Sequence, residues 1–104
     1  MTTYYRQGDV CLVPVTSIPK NAKPVKRDNG RVILAYGEGT GHAHAIVEES
    51  AVMLSVAEGA TFVRLAKKAQ LLHEEHATID LPAGDYEVRR QREYSPAGIV
   101  RVAD

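Results

Sequence analysis

The four histidines of the chain fall into two close pairs: His42 and His44 within GHAHAIVEE, and His73 and His76 within LLHEEHA. Imidazoles with carboxylates beside them form a mixed nitrogen and oxygen donor set that first-row transition ions accept. In an extended segment, side chains two residues apart leave on the same face. A strand through residues 42–48 therefore carries His42, His44, Ile46 and Glu48 on one face and Ala43, Ala45 and Val47 on the other. Two imidazoles at this spacing reach one ion, and Glu48 lies one step further along the same row. Gly39 and Gly41 before the pair, with the small Ala43 and Ala45 beside it, allow a close backbone approach to a bound ion or ligand.

His73 and His76 are three apart, a spacing that shares a face on a helix and splits across the faces of a regular strand. One of them, or both across a bulge, is expected to complete the site, with His73 preferred because it ends the apolar run AQLL. The candidate ligands are thus His42, His44, Glu48, His73 and His76, around one transition metal ion: zinc, iron, manganese or nickel. Glu74 and Glu75 are the candidate general bases for a reaction in which the ion polarises a substrate oxygen or activates a water. HEEH is neither H-E-x-x-H nor H-x-x-E-H, so the zinc-protease patterns do not apply. The alternative reading of the same residues is structural. In it His42 caps the glycine turn, and His73 and His76 pair with Glu74 and Glu75 for on the order of a few tenths of a kcal/mol.

The elements expected to position these residues are short strands. Residues 9–15, DVCLVPV, are rich in β-branched side chains and follow a Gly-Asp turn signal. Residues 16–30 hold two prolines and no apolar period, and end in Asp28-Asn29-Gly30, a hairpin-type turn sequence. RVILAY at residues 31–36 is the next strand, broken by the glycines. Residues 42–48 and 51–57 are separated only by Glu49 and Ser50, which predicts a tight hairpin. Residues 61–67 follow a Glu-Gly turn. Residues 66–77 have helix-forming composition, but they lie between strand-like segments and are expected to form strand, turn and strand. A Pro/Gly turn at residues 81–85 leads into strands at residues 86–94 and 98–103. About eight short strands at regular spacing predict an all-β fold, a small barrel or sandwich in a single domain over residues 1–104. Alternation assigns Val10, Leu12, Val32, Leu34, Val52, Leu54, Val63 and Val100 to the core.

GEGTGHAHAIVE resembles the first motif of the cupin superfamily, G-(X)5-H-X-H-(X)3–4-E-(X)6-G. Gly37 stands one residue too close to His42, His44 and Glu48 keep the three-residue gap, and the trailing Gly59 comes late. HATIDLPAGDYE is similar to the second motif through Pro82 and Gly84, with Glu87 where that motif has histidine and Gln91 where it has asparagine. The resemblance implies a small cupin-like barrel with His42, His44 and Glu48 on one metal, Glu87 in place of the third histidine, and His73 and His76 as alternative ligands. RQGDV, GHAHAI and RQREY are also similar to small uncharacterised bacterial or phage-encoded proteins.

Thirteen Lys and Arg balance thirteen Asp and Glu among 104 residues, so no net field draws the chain to nucleic acid or to a membrane. The one nucleic-acid candidate is local. As a strand, DYEVRRQREYS aligns Tyr86 and Val88 with Arg90, Arg92 and Tyr94, cations and rings on one face. With the exposed strand edges, that face defines the rival function, a non-catalytic module that contacts RNA, protein or further copies of itself. Cys11 is the only cysteine, excluding an intrachain disulfide and fitting a reducing compartment. No leader-like or membrane-length apolar run is present, so the expected location is cytoplasmic.

Overall fold

The computed structural model describes residues 4–37 and 41–90, and these contain ten short strands and no helix. A six-stranded antiparallel sheet has the order β1 (Tyr5–Gln7), β2 (Val10–Val15), β10 (Gly84–Arg90), β7 (Thr61–Leu65), β6 (Ala51–Ser55) and β3 (Lys23–Pro24). Two strand pairs lie outside it: β4 (Val32–Tyr36) with β5 (Ala43–Ile46), and β8 (Ala69–Leu71) with β9 (Ile79–Leu81). A two-way backbone bridge between Ala45 and Leu72, with N···O distances of 2.9 and 2.8 Å, joins the pairs into a second layer. The all-β fold forms as expected, and the described strands do not close into a barrel. No helix among the described residues is long and apolar enough to cross a membrane.

The core lies between the layers. Val10, Leu12, Val63, Leu65, Ala51, Met53 and Tyr86 from the large sheet meet Val32, Leu34, Ile46, Ala69, Leu71 and Leu81. On β6 the expected face is inverted: Ala51 and Met53 are buried, Val52 is exposed and Leu54 is half-buried. The reason is register. β6 pairs Ala51 with Leu65 and Met53 with Val63, so its inward face is set by the two fully buried residues of β7. Val100 and the strand expected at residues 98–103 lie outside the described residues.

The turn at Asp28-Asn29-Gly30 forms as expected. Asn29 (φ 52°) and Gly30 (φ 78°) are both left-handed between the bridged Asp28 and Arg31, the geometry of a two-residue hairpin. The glycine stretch connects two antiparallel partners, with Tyr36 opposite Ala43 and Val32 opposite Ile46. The hairpin expected across Glu49-Ser50 does not form. β5 and β6 belong to different layers, and Arg27 holds the crossing. Its guanidinium donates to the carbonyls of Ala51 (2.9 Å), Glu48 (3.1 Å) and Val47 (3.2 Å), and its Nε to Gly30 O (2.9 Å). The crossing segment turns from one layer to the other, with Arg27 bridging its carbonyls. The 66–77 region forms β8 followed by a loop to β9, in keeping with its strand-like flanks.

Candidate functional site

Counting outwards from the Ala45–Leu72 bridge, residues whose numbers sum to 117 face each other, so His73 falls beside His44 and Glu75 beside His42. The side chains follow this register. The ring centres of His44 and His73 are 4.3 Å apart, His73 and His76 4.7 Å, His42 and His73 5.8 Å, and His44 and His76 5.9 Å. All four imidazoles thus form one cluster at the edge where β2 begins and β10 ends. Both His73 and His76 approach the first pair, because the 72–78 loop is irregular and is not bound to strand alternation.

One donor atom each from His42, His73 and Glu74 lies within 4.8 Å of the others, the span of a small metal-binding group. Glu74 is fixed by the strand beside it: Ala43 N–H donates to its Oε1 at 3.0 Å. That hydrogen bond holds its carboxyl below the usual range, aided by the charges of His42 and His73. Glu75 places Oε2 3.7 Å from His42 Nδ1. His73 Nδ1 accepts the backbone N–H of Glu75 (3.0 Å) and of His76 (3.3 Å). Its ring is therefore oriented by its own loop, and ligation through Nδ1 would take that nitrogen from the two amides.

His44 is the buried member, 6% exposed, and its surroundings carry no signal in the local sequence. Gln7, 3% exposed at the end of β1, donates both amide protons, to Leu71 O and Ala77 O at 2.9 Å each. Its Oε1 is left as an acceptor, 2.8 Å from His44 Nδ1. The proton must therefore sit on His44 Nδ1, which leaves the Nε2 lone pair free. That lone pair looks towards Asp9 Oδ1 at 3.8 Å. Burial, reinforced by the charge of His73, lowers the His44 pKa to about 4, so the ring is neutral at pH 7. Burial pushes the Asp9 carboxyl up, but the hydrogen bond and charge of Arg90, 3.1 Å away, outweigh it and hold it low. Gln7 and Asp9 are legible in the sequence only as a turn-flanking pair. Between them Gly8 is left-handed (φ 58°), with His76 Nε2 packed 2.7 Å from where a Cβ would stand.

Two expected ligands are elsewhere. Glu48 lies beyond the end of β5, where its Oε2 accepts from Gln70 N at 3.2 Å beside β8, and it is not in the His42–His73–Glu74 group. The strict alternation behind its placement stops at Ile46. Glu87, the position implied by the cupin resemblance, carries Arg89 on its Oε1 at 2.9 Å, while its neighbours Tyr86 and Val88 turn inwards. The described half of the basic-aromatic face is thus not a free surface. Tyr86 is 3% exposed in the core, and Arg90 is bound to Asp9. Arg92 and Tyr94 lie outside the described residues.

Fold and site define a small two-layer β-protein with a histidine cluster at one edge of its interlayer space. Residues 6–91 match the model of a domain of unknown function, DUF8820, and the chain belongs to that family. No curated protein and no solved structure matches the chain.

Proposed function

We propose that the protein binds one divalent transition metal ion through His42, His73 and Glu74, with His44 as the adjacent imidazole that Gln7 prepares. The observation that carries this reading is the convergence of three donor atoms from β5 and the 72–78 loop within 4.8 Å. His44 beside them supports it as a neutral imidazole whose Nε2 lone pair faces outwards from the Gln7 contact, adding no positive charge next to a bound cation. Two nitrogens and a carboxylate suit zinc, iron, manganese or nickel, and three protein ligands leave a position for water or substrate. An ion there would polarise a bound oxygen or lower the pKa of a water, with Glu75 as the neighbouring carboxylate able to take a proton. The cupin likeness of GHAHAIVE agrees with this use of His42 and His44, but the other donors proposed here come from the 72–78 loop.

The test is elemental analysis of protein purified without a histidine tag, followed by zinc, iron(II), manganese and nickel titration. About one equivalent of metal is expected in the wild type and none in His42→Ala/His73→Ala. Metal-free protein whose melting temperature does not move with any of the four ions overturns the reading.

A further inference from the structure

The second layer carries a cavity of about 270 Å³ whose lining includes His73, Glu74 and Arg31. Its floor is apolar, formed by Ala45, Val47 and Leu72. Two features make it more than a surface dimple. It borders the same two side chains that belong to the metal-binding group. In addition, Arg31 makes no ion pair and no side-chain hydrogen bond among the described residues. By contrast, Arg64 is engaged with Asp85, Arg89 with Glu87 and Arg90 with Asp9.

The geometry points to this cavity as the binding site for a small organic carboxylate, with its carboxylate on the Arg31 guanidinium, its apolar body on Leu72 and Val47, and its far end towards His73 and Glu74. A guanidinium offers a planar fork that matches a carboxylate with two parallel hydrogen bonds, and one at the rim of an apolar floor is weakly hydrated. The alternative occupant of such a floor, a wholly apolar molecule, would offer the Arg31 fork no acceptor. Size bounds the class. At about 270 Å³ the cavity lies near the low end of small-molecule pockets, roughly 300–1,000 Å³, and suits an acid of benzoate size. The inference rests on the metal reading only in calling this ligand a substrate. The Arg31 subsite stands or falls by itself.

The probes are benzoate and benzamide, which share shape and differ in charge. Each is titrated into ¹⁵N- and methyl-labelled protein, both metal-free and zinc-loaded, while the Ala45, Val47 and Leu72 signals are followed. Benzoate is expected to bind at least about tenfold tighter than benzamide, since a tenfold ratio is what one charge-assisted contact of ordinary strength supplies. Arg31→Gln should bring the two within about twofold while leaving the zinc stoichiometry unchanged. Equal affinity of the two probes, or no response at these signals, overturns the proposal. So does benzoate binding that survives Arg31→Gln but vanishes without zinc, which would put the carboxylate on the metal. If zinc fails to bind while benzoate still depends on Arg31, the metal reading fails and the carboxylate site remains.

Discussion

Gln7 Oε1 accepts the Nδ1 proton of His44 at 2.8 Å, and this contact decides which nitrogen of the buried imidazole carries its lone pair. Gln7→Leu removes the acceptor and both donors, leaving His44 Nδ1, Leu71 O and Ala77 O without their partner. Each buried orphan costs roughly 1–3 kcal/mol, so a loss of about 3 kcal/mol in urea unfolding is expected. Metal affinity should fall by less than removal of a ligand would cost, since His44 stands beside the three donors and is not one of them. A variant with wild-type stability and affinity would show that the contact orients nothing.

Acid should destabilise the metal-free protein through His44. Its folded pKa, about 4, lies below the ordinary value of 6.5, so the unfolded chain takes up the proton first. Stability is unaffected by this group above pH 6.5, declines as pH falls towards 4, and levels off once the folded state also protonates. The full decline is up to about 3 kcal/mol, since each pH step of one between the two values contributes ~1.4 kcal/mol. Asp9 and Glu74, both held low, add their own loss at lower pH. The measurement is the urea midpoint from pH 8 to 4 for wild type and His44→Gln; parallel curves would contradict the assignment.

Position 8 should tolerate less than position 30. Both glycines are left-handed, which costs an alanine roughly 1–2 kcal/mol, but open space surrounds Gly30 while Gly8 faces His76 Nε2. Gly8→Ala is therefore expected to cost about 1 kcal/mol more than Gly30→Ala. In a His76→Ala background that excess should disappear. Calorimetric melting of the four variants checks it.

Arg27→Ala should loosen the crossing between the layers. Four carbonyls lose a cationic donor, and with a half-buried guanidinium the loss is about 2 kcal/mol. Faster hydrogen exchange is expected at Ala51, whose amide bonds Glu48 O within that crossing. Arg27→Lys should recover only part, because an ammonium does not reach all four acceptors at once.

The all-β class and the 28–30 turn can be read from spacing, because alternation and turn chemistry act over a few residues, whereas the histidine pairs are brought together by the distant Ala45–Leu72 bridge. Glu48 is misplaced when alternation is extended past Ile46, where β5 ends. Val52 and Leu54 suit a core by size, but pairing with Val63 and Leu65 selects Ala51 and Met53. The β5–β6 hairpin fails for the same kind of reason, since β5 pairs with β4 and β6 with β7 and β3. Gln7 gives no local signal, because its importance comes from partners far along the chain.

Those partners have a kinetic consequence. Gln7 bonds residues 64 and 70 positions ahead of it, so the histidine cluster closes only after nearly the whole described chain has been looped back on itself. Such distant closures are slow and tend to come late. Contacts that form after the folding barrier govern escape from the native state more than arrival in it. Weakening this corner should therefore speed unfolding with little change in folding rate, which makes the site a latch on the lifetime of the fold.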